Sequence, residues 1–232
     1  MNSIRRITFV EAPIAASAIF GIAALAVVLL GVTQATSAAR DGAARSILAR
    51  AETLPRGVER DAALASALIV IEDAVAAAPK DAGAHARAAR LYYLQATTAA
   101  VDDVSAPLLE AAGRAIKEAR ARSPRNASVD ALSALIDISR SGGAVSETAS
   151  AAVARSYAAP ASREGAVWRL EAAARAWGAL PVALQQRVIV DGCAQATSDP
   201  AFAQALAAVA NDMPDSGIGT CAAAPVRPDA PL

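Results

Sequence analysis

The sequence predicts an all-α protein in which a single N-terminal transmembrane helix precedes an array of short, closely packed helices. Three observations carry that reading. No charged residue lies between Glu11 and Arg40, and the stretch from Ile14 to Val32 is almost wholly apolar. Alanine, the best helix former and a poor filler of space, makes up more than a quarter of the chain, while aromatics are only 3%. Beyond residue 57 the apolar residues recur at spacings of three and four, the period of a helix with one buried face.

The N-terminal region divides at the edges of the uncharged interval. Residues 1–12 form a short tail with Arg5 and Arg6, and residues 13–33 form the expected span, with Pro13 in a first helical turn where its missing N–H costs little. At about 1.5 Å per residue, Ile14 to Val32 reaches roughly 28 Å, close to the hydrocarbon thickness of a bilayer. The alternative is a secretory signal cleaved near Ala38. An h-region usually has about 7 to 15 residues, and this apolar run is longer. Arginines flank both sides of the span, so charge does not decide its orientation. A short cytoplasmic tail places the remaining chain in the periplasm. The two cysteines, Cys193 and Cys221, fit that side of the membrane, where an even pair can form a disulfide; the alternative is two separate thiols.

Residues 34–57 read as a polar helical stalk extending the span outward, interrupted by Arg40, Arg45 and Arg50 and stopped by Pro55 and Gly57. A region over 58–140 follows. Its clearest helix covers residues 58–78, with Leu64, Ala67, Leu68, Ile71, Ala74 and Val75 on one stripe, ended by Pro79. The next covers residues 82–100. A loop is expected at residues 101–107, then a helix over 108–122 that stops at Ser123-Pro124. Ser141-Gly142-Gly143 marks a boundary, after which a C-terminal region, residues 144–212, contains helices near 146–157, 163–177, 182–196 and 201–210. Ser162 is a cap for the second of these. The last stretch, residues 213–232, is rich in proline and glycine and reads as a flexible tail that only a disulfide would tie down.

Within residues 58–138, Ala67, Ile71, Ala74 and Pro79 share their spacing with Ala112, Ile116, Ala119 and Pro124, displaced by 45 residues. The pattern resembles the second helix of a tetratricopeptide repeat, in which small residues let paired helices approach and proline ends the unit. Ala88, Ala89 and Tyr92 suit the first helix of such a repeat, with His85 in a slot usually held by an aromatic. The family period is 34 residues, so a displacement of 45 requires an expanded turn. The resemblance implies a concave face carrying Arg90 and Tyr93, with Arg87 beside them, suited to a peptide carboxylate or backbone. It further implies a non-enzymatic, membrane-anchored adaptor in a bacterial cell-envelope assembly of the polysaccharide-export, secretion or cytochrome-maturation type, with other envelope proteins as partners. An exported enzyme or small-ligand binder is the alternative.

Residue chemistry limits that alternative. His85 is the single histidine, so no histidine-based metal cluster forms around it, and no catalytic, metal or cofactor residues are assigned. Lys plus Arg equals Asp plus Glu, 22 against 22, which offers no electrostatic footprint for nucleic acid. Asp102 and Asp103 read as adjacent solvated acids, and Asn126-Ala127-Ser128 matches a glycosylation acceptor.

Overall fold

The computed structural model describes residues 39–40, 42–55, 57–99 and 102–222, and among them every regular element is helical. The first helix, α1, is described from residue 42 to residue 53. It is followed by α2 (Val58–Ala77), α3 (Ala82–Thr98), α4 (Asp102–Arg122), α5 (Ala127–Arg140), α6 (Glu147–Ala158), α7 (Arg163–Ala176), α8 (Val182–Ser198), α9 (Pro200–Val209) and the short α10 (Ile218–Ala222). The expected span at residues 13–33 and the tail at 1–12 lie outside the described residues. None of the described helices is long and apolar enough to cross a membrane.

Local chemistry sets the helix starts. The Asp81 carboxylate accepts from the Gly83 amide at 2.8 Å to open α3, and the Asn126 side chain accepts from the Ser128 and Val129 amides to open α5. Ser146 and Ser162 do the same for α6 and α7, and Asp199 for α9. Each cap satisfies amides that the first helical turn leaves without partners. Asn126 therefore serves as a cap within the glycosylation-like triplet. At the other end of α5, Gly142 lies at φ 64°. The Gly143 amide bonds the Ile138 carbonyl and the Gly142 amide the Ser139 carbonyl, a Schellman closure that needs a residue tolerant of the left-handed region.

Successive helices pack as neighbours, α2 on α3, α3 on α4, α4 on α5, while α5 contacts both α6 and α7 and α7 contacts α9. In the α2–α3 pair, Ala67, Ile71 and Ala74 are buried, as are Ala88 and Ala89, and Tyr92 donates from its hydroxyl to Glu72 at 2.6 Å. The displaced residues Ala112, Ile116 and Ala119 are buried on α4 as well. Small side chains at these seams allow close backbone approach. The closest case joins α5 to α7, where a Cβ added at Gly165 would overlap the Ser128 hydroxyl.

Four expectations are corrected. The α4 helix begins at Asp102, so the expected loop over residues 101–107 is helical from 102 onward and Pro107 lies inside it. Pro107 sits one and a half turns from the start, where it removes a single intrahelical bond, to the Asp103 carbonyl, and α3 packs along the helix that results. The stalk is not a free stalk over its described part: Ala44, Leu48 and Ala51 of α1 are buried in the common core. Their spacing of four and three puts them on one stripe, with the arginines turned elsewhere. The boundary at Ser141-Gly142-Gly143 is a tight turn within continuous packing, because α5 carries both α6 and α7 across it. The described part of the tail, residues 213–222, is packed on the core: Met213 and Ile218 are buried, and α10 packs on α8 and α9. Cys193 of α8 and Cys221 of α10 stand at disulfide distance with their Cα atoms 5.2 Å apart. Residues 223–232 lie outside the described residues.

Candidate functional site

Among the described residues a group of buried polar side chains lies where α1, α3 and α7 meet. Arg90 of α3 is 4% exposed. Its Nε donates to Glu52 of α1 at 2.8 Å and its Nη1 to Glu171 of α7 at 2.6 Å. Tyr93, one turn further along α3 and fully buried, donates its hydroxyl to the other Glu171 oxygen at 3.1 Å. The Arg90 guanidinium also lies 5.4 Å from the centre of the Tyr93 ring and 5.9 Å from the Trp168 ring, so its charge meets two π faces.

The electrostatics follow from that enclosure. Burial by itself would lower the pKa of Arg90, but the Glu171 and Glu52 carboxylates outweigh it and hold the guanidinium above its ordinary value. Burial would likewise raise Glu171, and Arg90, by charge and hydrogen bond, holds it below the usual carboxylate value instead. Burial, reinforced by Glu171, keeps Tyr93 a phenol well above its ordinary range. A looser pair lies alongside, Arg87 of α3 and Glu164 of α7 at 3.9 Å. Here burial dominates both partners, lowering Arg87 and raising Glu164.

The expected partner-binding residues are therefore brought together, but not on an open face. Arg87, Arg90 and Tyr93 are all buried, covered by α7 and, at Arg90, by α1 of the same chain. The expectation of an exposed concave surface at these residues is corrected: the carboxylates that Arg90 and Tyr93 hold are Glu52 and Glu171. His85 has a comparable internal place. Its Nε2 donates to the Pro79 carbonyl at 3.0 Å, and Arg122 donates to the same oxygen at 2.6 Å, tying the α2–α3 turn to the end of α4. Asp130 of α5 clamps two neighbours, accepting from Arg120 of α4 at 3.0 Å and from Arg155 of α6 at 3.2 Å. Asp103 is exposed in the first turn of α4, where an acid complements the helix dipole.

An accessible feature that sequence reasoning missed opens beside this network. A cleft of about 550 Å³ lies between the first half of α4 and the end of α5, lined by Ser105, Ala106, Leu109, Glu110, Ser139 and Arg140 among others. It continues into a second hollow of about 330 Å³ that shares Ser105, Leu109, Ser139 and Gly142 and adds Thr97 and Arg175. The second hollow borders the buried network, because Arg175 lies 3.8 Å from Glu171. In the first hollow Arg140 donates to the Leu109 carbonyl at 3.0 Å, and its guanidinium lies across Gly113, where any Cβ would overlap it. No local motif marks this cleft. Its two arginines come from different helices, 35 positions apart in sequence, and the one available signal was a glycine at 113 inside an otherwise helical run.

Among the described residues no group of three or more His, Cys, Asp or Glu side chains is arranged to hold a metal ion. Compared with protein-family models, with curated proteins and with solved structures, the chain matches none.

Proposed function

We propose that the protein is a non-enzymatic, membrane-anchored helical adaptor of a bacterial cell-envelope assembly, held in the inner membrane by residues 13–33 with its helical domain in the periplasm. The observation that carries the adaptor reading is the form of the accessible site. The cleft between α4 and α5 is open to solvent, while the buried Arg90, Glu52, Glu171 and Tyr93 at the α1–α3–α7 junction are engaged with one another. An open surface of this kind suits a segment of another protein; enclosed pockets that bury most of a small ligand suit catalysis. The uncharged interval before Arg40 supports the anchor, and cysteines at disulfide distance support an oxidising compartment. Packing of consecutive helices as neighbours, α2 on α3 and α3 on α4, supports a helical array as the frame of such an adaptor.

The test combines topology with partner capture in intact cells. A reporter active only in the periplasm is fused after Leu232, and a photo-cross-linking residue replaces Ser105 in the cleft. The expected result is an active reporter in the membrane fraction and a discrete cross-linked species containing an envelope protein. An inactive reporter, or soluble protein with a new N-terminus near Ala38, refutes the anchored topology. A cleft that cross-links to no protein refutes the adaptor. The second reading, a small-ligand binder, draws on the cleft volume, which falls within the range of about 300–1,000 Å³ typical of ligand sites.

A further inference from the structure

The chemistry of the cleft narrows what it can hold. Arg140 lines the first hollow and Arg175 the second, with Ser139 and the apolar Leu109 shared by both and Thr97 in the second. Among the described residues Glu110 is the acid that lines either hollow, and it is exposed and paired with Arg114 at 3.9 Å. Two guanidiniums against one carboxylate among the described lining residues make carboxylate recognition the chemistry these hollows can offer.

Both guanidiniums are held in place. Arg140 is seated by the Leu109 carbonyl and by the missing side chain at Gly113. Arg175 is held over the Tyr93 ring at 5.9 Å and near Glu171 at 3.8 Å, a separation longer than a hydrogen bond. Glu171 takes its close bonds from Arg90 and Tyr93 instead. Arg175 thus retains donors for a second carboxylate. Pre-organised guanidiniums of this kind recognise carboxylates by charge-assisted, directional hydrogen bonds.

We infer that the cleft between α4 and α5 receives an extended acidic segment of a partner protein, with Arg140 and Arg175 each holding a carboxylate and Leu109 supporting the apolar part of the segment between them. The inference rests on the adaptor reading and names the partner's chemistry. A small dicarboxylate fits the charges less well, because an open cleft leaves it largely in water and the two arginines stand in separate hollows.

Full-length protein in detergent micelles is titrated with a fluorescent, end-blocked hexa-glutamate peptide, and with the hexa-glutamine peptide as control. The glutamate peptide binds and the glutamine peptide does not. Arg140→Gln combined with Arg175→Gln weakens binding by about tenfold or more. Gly113→Ala keeps both charges yet displaces the Arg140 guanidinium, and it weakens binding in the same direction. Arg163→Gln, which removes an arginine paired with Asp199 at the far end of α7, leaves binding unchanged. Equal affinity for the two peptides overturns the proposal, as does wild-type affinity in Gly113→Ala or in a folded double arginine variant. Competition by free glutarate at the concentration of the peptide overturns the assignment to an extended segment. Peptide binding that survives while the cross-link from position 105 is absent from cells counts against the adaptor reading alone.

Discussion

Replacing Arg90 by methionine tests whether the α1–α3–α7 junction is held by its charges. The substitution keeps the length and the apolar stem and removes the guanidinium. Two charge-assisted hydrogen bonds are lost, at 2.8 and 2.6 Å. Removing one partner of a buried ion pair typically costs about 3–5 kcal/mol, mostly because the remaining charge is stranded. Stranding is limited here. The Glu171 side chain is 21% exposed and keeps the Tyr93 hydroxyl and the nearby Arg175, and Glu52 is 24% exposed and can turn to water. The expected cost is therefore at the lower end, about 3 kcal/mol. For a domain of this size that lowers Tm by roughly 6–12 °C. Thermal unfolding of the full chain followed by circular dichroism at 222 nm reads it.

The same variant has a pH signature with a definite sign. Glu171 is held below its ordinary pKa in the folded protein, so its contribution is present above the unfolded carboxylate pKa of about 4.3 and is lost as pH falls through the lower folded value. Wild-type stability should fall across that acid range. Without Arg90 the largest cause of the depression is gone, only Arg175 and the Tyr93 hydroxyl remain against burial, and the fall should be shallower. A Tm within about 2 °C of wild type, with an unchanged acid profile, would show that the junction is held by packing alone and that the ionic account is wrong.

Two further outcomes follow from the packing. Ile71→Asp places an unpaired carboxylate in the fully buried seam between α2 and α3 and should cost several kcal/mol, on the order of 4; an unfolding midpoint close to wild type would mean that the seam opens to water. Replacing Cys193 and Cys221 together by alanine should destabilise by about 3.6 kcal/mol in the loop-entropy model and speed hydrogen exchange over 213–222. Mass spectrometry of unreduced native protein that finds both thiols alkylatable would remove the staple and the argument for an oxidising compartment.

The all-helical architecture and most helix boundaries were legible because they depend on local chemistry. The 3–4 spacing around Ile71, the break at Pro79 and the caps at Asp81 and Ser162 each act within a few residues, so reading the chain in order finds them. Pro107 misled for the same reason. Locally it signals a stop, yet the cost of one lost helical bond is outweighed by the packing of α4 along α3. The α1 stripe of Ala44, Leu48 and Ala51 was hidden among arginines, and only the presence of a core beside it makes those three residues a buried face.

The sequence by itself determined that the chain is helical, that it contains an apolar interval long enough for a bilayer, and that it lacks the histidines for common metal chemistry. Only the tertiary structure decided what the polar residues do. Arg90 meets carboxylates 38 and 81 positions away, and nothing in the local pattern around it distinguishes an arginine facing a partner protein from one facing its own chain. The cleft shares that origin, since Arg140 and Arg175 are brought to one surface by the packing of α5 on α7. The physical reason is range: helix propensity and capping act over one or two turns, whereas charge pairing and surface shape depend on contacts that exist only once the chain has folded back on itself.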